Sequence, residues 1–241
     1  MMPEYLLVTD LDGTLLGDEF ALREFRVRLE RLPVRMRLVY ASGRLEDDVQ
    51  ALITEQDLCV PDAIIGGVGT QISITDEAVT NWCKPSARVW NRARIRMLLS
   101  DIPLQHERFQ ADYKVSFVLK DASPDDLDEI AKRLLRSGID ADLVYSSNRD
   151  LDVVPHSINK GSAANFLAKH WRIAPQNVIV CGDSGNDLSM FQCRFRGVVV
   201  ANHLPELRNL ESRDIYYATA PYAAGVLQGI DHWLAHEMIL R

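Results

Sequence analysis

The sequence predicts an α/β fold: a parallel sheet covered by helices on both sides, with a smaller α+β module inserted into it. Three observations carry this. Short apolar runs stop at polar, glycine-containing turns. Helix-like segments alternate with those runs. The pattern then changes between about residues 82 and 155.

The first run, 5–9, stops at Asp10; the second, 37–41, at Ser42-Gly43-Arg44; a third, 177–181, at Gly182-Asp183-Ser184-Gly185. Each is short and rich in Leu, Val or Ile, as expected of a strand buried on both faces. Helix-like segments at about 21–31, 46–55, 160–170 and 186–191 fall between and after them. Strand–helix alternation gives a parallel sheet. Ligands of such sheets bind beyond the carboxyl ends of the strands, so the three polar turns gather at one edge.

The middle reads differently. A helix-like stretch at 86–99 precedes an alternating run at 113–119. Ser123-Pro124-Asp125-Asp126 then supplies a cap, a first-turn proline and early acids, and Gly138 closes that helix. Strand-like runs at 141–145 and 151–154 come next. Their alternation indicates a sheet with one wet face. The expected division is a core of residues 1–81 and 156–241 with an inserted module of residues 82–155. Trp82 and Trp90 are read as packing residues, the commoner use of tryptophan.

Composition excludes several classes. The chain has 241 residues, is 47% hydrophobic and carries a net charge of -7, so it builds a substantial core and is a poor partner for nucleic acid. The basic stretch Arg88, Arg92, Arg94 and Arg96 would spread around a solvated helix. No apolar stretch reaches the roughly 18–20 residues that a membrane span needs. The start, MMPEYLLVTDLDGT, does not read as a signal peptide. The four cysteines, Cys59, Cys83, Cys181 and Cys193, form no C-x-x-C pair. They read as reduced thiols of a cytoplasmic protein rather than as a zinc site.

Four constellations carry chemistry. Asp10-Leu11-Asp12-Gly13-Thr14 puts two carboxylates at a strand end. Like charges that close repel unless a cation shares the site, and a hard divalent ion such as Mg2+ fits oxygen ligands. A solvated turn is the alternative. Gly182-Asp183-Ser184-Gly185-Asn186-Asp187 sets a second acid pair four residues apart; a helix cap with an acidic first turn explains it equally well when taken alone. Ala41-Ser42-Gly43-Arg44 offers a hydroxyl and backbone N–H groups to phosphate oxygens. Asn159-Lys160-Gly161 offers a cation at the positive end of a helix. Together these make a nucleophile, a second acid, a metal cage, an anchor and a cation, the parts of a phosphoryl-transfer site.

The four motifs, in this order, resemble those of the haloacid dehalogenase superfamily of phosphatases. The resemblance covers essentially the whole chain, and implies a Rossmann-like core with the inserted module as a C2-type cap. Gly67-Val68-Gly69-Thr70, Tyr40–Arg44, Gly182–Asp187 and the block Ser146–Pro155 are similar, more closely, to the sucrose-phosphate phosphatase branch. That branch usually has Thr where Ser42 stands, which keeps the hydroxyl, and an acid where Gln71 stands, which touches the sugar pocket.

By this resemblance Asp10 attacks phosphorus and Asp12 exchanges the proton with the leaving group and then with water. Mg2+ is held by Asp10 and Asp183 with the Asp12 backbone carbonyl. Ser42, Gly43, Lys160 and Asn186 hold the phosphate, with Asp187 and Thr14 one layer behind. Arg44, Gly69, Thr70, Gln71, Lys114, Ser147, Arg149 and Asp152 are the candidates for sugar contact. The implied substrate is a disaccharide phosphate, with sucrose 6-phosphate first and mannosylfructose phosphate or glucosylglycerate phosphate beside it. A phosphomutase is the second enzymatic reading. A catalytically idle core docked to the glycosyl-phosphate synthase that makes the substrate is the non-enzymatic one. That synthase is the protein partner the resemblance implies, and the filled catalytic positions argue for an enzyme.

Overall fold

The structure, a computed structural model, describes residues 4–75, 82–83 and 90–239. In chain order its elements are β1 (Glu4–Thr9), α1 (Glu19–Glu30), β2 (Arg35–Ala41), α2 (Glu46–Glu55), β3 (Ala63–Gly66), β4 (Gln71–Ile74), α3 (Arg92–Leu98), β5 (Val115–Val118), α4 (Pro124–Arg136), β6 (Ala141–Ser146), β7 (Asp150–Pro155), α5 (Lys160–His170), β8 (Val178–Gly182), α6 (Leu188–Phe191), β9 (Arg196–Val199), β10 (Ile215–Tyr217) and α7 (Tyr222–Ile239). Short 3-10 turns precede β4, β5, β8, α6 and β10.

Seven strands form one sheet in the order β10-β9-β8-β1-β2-β3-β4, parallel except for the β3–β4 hairpin at one edge. Residues of β1 alternate between its two faces. Tyr5 and Leu7 meet Leu22 and Phe25 of α1, Val49 of α2 and Val226 of α7; Leu6 and Val8 meet Ala164 and Leu167 of α5 and Met190 of α6. Every one of these side chains is buried, and each fully buried aliphatic chain contributes about 1.5–3 kcal/mol. The hydrophobic runs are continuous because both faces are covered.

Register delivers the polar turns to one place. Thr9 sits opposite Tyr40 of β2 and Cys181 of β8. The next residues along the three strands therefore leave the sheet side by side: Asp10, the Ala41–Ser42 turn and the Gly182–Asp183 turn.

The second sheet, β5-β7-β6, is antiparallel. One face, with Val115, Phe117, Leu151 and Val153, packs on Ile95 of α3 and on Ile130 and Leu134 of α4. The other carries Ser116, Asp150 and Asp152.

Several local expectations shift. Helix α1 starts earlier than expected because the Asp18 carboxylate accepts from the N–H groups of Phe20 and Ala21. The segment expected to be helical from 186 is a 3-10 turn running into the four residues of α6, because the Asp187 carboxylate is drawn back to the amides of Asp183 and Ser184. Helix α3 begins behind an Asn91 cap, later than position 86; Asn81 and residues 84–89, with Ser86 and Arg88, lie outside the described residues. Trp82 and Cys83 pack with the large sheet, not with the inserted module. Trp82 Nε1 donates to the Gly69 carbonyl at 2.8 Å and its ring lies 4.9 Å from that of Phe166, while Cys83 Sγ meets the Thr70 carbonyl.

All four cysteines are free; Cys83 and Cys181 are buried, Cys59 and Cys193 half-buried. Burial pushes the Cys83 thiol up to about 12 and those of Cys59, Cys181 and Cys193 upward as well. No helix among the described residues is long and apolar enough to cross a membrane.

Candidate active site

A cavity of about 370 Å³ opens beyond the strand ends, between the two sheets. Asp10, Asp12, Ser42, Gly43, Arg44, Lys114, Ser147, Asp152, Asp183 and Asn186 all line it. Thr14, Lys160 and Asp187 stand directly behind, each fully buried.

Lys160 organises the floor. It is the first residue of α5, and the cap Asn159 fixes that helix start: its carboxamide oxygen accepts from Ser162 N at 2.8 Å while Ser162 Oγ accepts from Asn159 N at 3.1 Å. The Lys160 ammonium donates to Asp10 Oδ1 at 2.6 Å, Asp187 Oδ1 at 2.7 Å and Asn186 Oδ1 at 2.7 Å. All three of its donors are used. Asp187 Oδ2 accepts from the amides of Asp183 and Ser184 at 3.0 and 3.2 Å. Thr14 Oγ1 donates to Asp183 Oδ1 at 2.7 Å.

Burial drives the electrostatics. It raises the Asp10 carboxyl well above the ordinary carboxylate range, with Lys160 pulling the other way. Burial and the neighbouring Asp187 charge push Asp183 up to about 6. For Lys160, burial alone would lower the value, but the charges and hydrogen bonds of Asp10 and Asp187 outweigh it and the ammonium is held charged. Three buried carboxylates thus crowd around one ammonium, which touches two of them, Asp10 and Asp187.

This donor set suits a hard divalent cation. Asp10, Asp183 and Asp187 each place an oxygen within 4.8 Å of the others, all are carboxylates, and a divalent charge relieves the excess of negative charge. Both oxygens of Asp187 are already engaged, so Asp10 and Asp183 are the ones free to turn to an ion. The Asp12 carboxylate is outside this cluster because Arg44 grips it, Nε to Oδ2 at 2.6 Å and Nη2 to Oδ1 at 2.8 Å. Only its backbone carbonyl is left for a cation.

The rim candidates divide. Lys114, only 3% exposed, pairs with Asp152 at 3.2 Å, and Ser147 takes a left-handed turn at the cavity wall. Gly69, Thr70, Gln71 and Arg149 do not line the cavity. Gln71 Oε1 accepts from Glu46 N at 2.9 Å, standing in for the missing side-chain cap of α2. Thr70 Oγ1 bonds back to the Gly67 carbonyl. Arg149, one residue out of phase with Asp150 and Asp152, points to solvent and leans on Asp150 at 3.3 Å.

Gly69 supports the lysine from behind. Its φ is +106°, and a Cβ there would fall 2.2 Å from the carbonyl carbon of Asn159, the α5 cap. Gly69→Ala is therefore expected to cost about 2–5 kcal/mol, from strain and overpacking together. A urea midpoint matching the parent would remove this role.

Gln105, Arg108, Phe109 and Asp48 also line the cavity, and no sequence motif marks them. The first three belong to a loop around a 3-10 turn, where no periodicity marks a facing. Asp48 reads as an ordinary first-turn acid of α2. Ser184, Ser146 and Asp150 lie inside motifs that the sequence does mark.

The chain matches the sucrose-6F-phosphate phosphohydrolase family over residues 3–234. It is 42% identical to the mannosylfructose-phosphate phosphatase of Agrobacterium fabrum, over 97% of this chain and 98% of that protein. It is 32% identical to sucrose-phosphatase 2 of Nicotiana tabacum over 94% of this chain, but spans only 58% of that longer protein. Among solved structures, it is similar to the sucrose-phosphatase of Synechocystis sp. PCC6803 in complex with sucrose and phosphate, with a TM-score of 0.90 at 30% identity, over 96% of this chain and 98% of that one.

Proposed function

The chain belongs to the sucrose-6F-phosphate phosphohydrolase family, with the α/β fold of haloacid dehalogenase-like phosphatases, and from that premise we propose that it is a cytoplasmic, Mg2+-dependent phosphatase of a disaccharide phosphate. The observation that carries the reading is the buried Asp10 carboxylate on the cavity floor, held 2.6 Å from the Lys160 ammonium beside Asp183.

Lys160 keeps Asp10 ionised and aimed. Asp10 attacks phosphorus as the bond from phosphorus to the sugar oxygen breaks, giving an aspartyl-phosphate; water then displaces Asp10 and releases phosphate. Asp12, half-exposed on the cavity wall, gives a proton to the departing sugar oxygen and takes one from the water, a role that requires its carboxyl to leave the Arg44 guanidinium that pairs with both its oxygens here. The Ser42 hydroxyl, the Gly43 amide and the Asn186 carboxamide N–H hold the phosphate oxygens, while Lys160, expected from the sequence to touch them, spends its three donors on Asp10, Asp187 and Asn186 and neutralises charge from behind the floor. Mg2+, held by Asp10, Asp183 and the Asp12 carbonyl, supplies neutralising charge for the phosphoryl group. The polar, cavity-facing side of the second sheet, with Lys114, Ser147 and Asp152, meets the sugar; among the described residues, 90–155 make up this cap.

Sucrose 6-phosphate is the first substrate candidate. The 42% identity to a mannosylfructose-phosphate phosphatase makes mannosylfructose phosphate the second. The test is a panel of sugar phosphates assayed for free phosphate, with Mg2+ and with chelator. Release from a disaccharide phosphate far above that from hexose phosphates, and its loss in chelator, is expected. Isomerised sugar phosphate without free phosphate would indicate a mutase instead. Saturating Mg2+ at 100 times its Kd should add about 2.7 kcal/mol of stability, seen as a melting temperature several degrees higher that chelator reverses.

A further inference from the structure

Among the described residues, two contacts join the layers of the two sheets beside the cavity. At the first, the Lys114 ammonium reaches three oxygens. Two belong to its own module, Asp152 Oδ1 at 3.2 Å and the Phe109 carbonyl at 3.2 Å. The third, at 3.4 Å, is the carbonyl of Gly43, in the loop after β2 that also carries Ser42. The lysine is almost wholly buried, so its charge must be satisfied where it lies, and part of what satisfies it belongs to the other sheet's layer.

At the second place, Gly185 faces the carbonyl of Tyr145 on β6. Its φ is outside the left-handed region, so the backbone there accepts any residue. A Cβ would nevertheless lie 2.4 Å from the Tyr145 oxygen. Glycine is required by the neighbour, not by its own conformation. Glu206 closes the same spot: its Cγ comes within 3.6 Å of that Cβ position, and its Oε2 is buried with no hydrogen-bond partner among the described residues. Both contacts are made only when the inserted module lies over the cavity, so what fills the cavity bears on whether they form.

We propose that Lys114 is a positioning residue that latches the inserted module over the phosphate-side loop, with Gly185 as the notch that receives the Tyr145 carbonyl. The inference rests on the phosphatase reading above. Closure then ties the sugar-facing carboxylate Asp152 to the loop of Ser42 and Gly43, and expels water as the leaving group is gripped.

The test compares wild type, Lys114→Met, Gly185→Ala and the double variant on sucrose 6-phosphate or mannosylfructose phosphate, whichever the wild type hydrolyses, and on p-nitrophenyl phosphate, with thermal melts to check folding. Each single change is expected to lower kcat/KM on the disaccharide phosphate about 100-fold, a misplacement effect. The loss on p-nitrophenyl phosphate, which has no second ring to enclose, should be far smaller. The double variant should be no worse than the poorer single one, because both remove the same closed state. Multiplying losses, near 10⁴-fold together, or full disaccharide activity in Gly185→Ala would overturn the latch; the latter is what a lysine that merely binds sugar predicts. If Lys114→Met fails to fold, Gly185→Ala and Gly185→Ser decide by themselves: loss growing with side-chain size is expected, and loss independent of size overturns it. Wild-type protein releasing no phosphate from any of these compounds would overturn the phosphatase reading, and the latch with it.

Discussion

Asp10→Asn is expected to abolish Mg2+-dependent phosphate release, with kcat falling by about 10⁴-fold or more, as when other covalent nucleophiles are removed. The amide keeps the shape of the carboxylate and still accepts from Lys160, so the cavity floor stays formed. What disappears is the anionic oxygen that bonds to phosphorus. Folding stability should hold or rise without metal, because Asp10 is buried beside Asp183 and Asp187 and its charge is opposed there by burial. Phosphate release and a thermal melt on the same preparation check both halves. An active variant would refute the nucleophile assignment; an unfolded one would show that the buried charge organises the fold rather than the chemistry.

Lys160→Ala should do the reverse and damage fold and activity together. The side chain has no exposed surface and bridges two buried carboxylates. Removing one partner of such a group leaves uncompensated buried charge and costs about 3–5 kcal/mol. For a chain of this length that is a fall in melting temperature of roughly 6–20 °C. The deficit should shrink as the pH is lowered, because Asp10, whose carboxyl burial already raises, then takes up a proton and no longer needs a cation. Lys160→Arg should rescue little, since full burial leaves no room for a larger head. A melting temperature unchanged at neutral pH would mean that the ion pairs contribute nothing net.

Some of this was legible in the sequence for definite reasons. Strands β1, β2 and β8 are buried on both faces, so they stand out as apolar runs, and each ends in a polar turn that faces the cavity. The α5 start was marked by Asn159, and α4 by Ser123 with its proline. Other features depend on contacts between residues far apart. Gln71 reads as a pocket residue, yet its partner is the amide of Glu46, and Gly69 is set by Asn159. Arg149 belongs to the same motif as Asp152, but it sits just before β7, beside Ser147 and Asn148 at positive φ; Asp150 and Asp152 share a face while Arg149 points to solvent. The Asp12–Arg44 pair crosses between two motifs, and neither motif alone announces it. Strands β9 and β10 are too short to carry a period of their own.

The state of the thiols has a practical consequence for watching the seam move. Thiolate is the form that alkylating dyes attack, and burial keeps all four native sulfurs protonated at neutral pH. A pair of new surface cysteines, one on α4 and one on α1, would therefore outpace the native ones in labelling. Distances between the two sheets could then be followed by fluorescence in an otherwise unaltered chain.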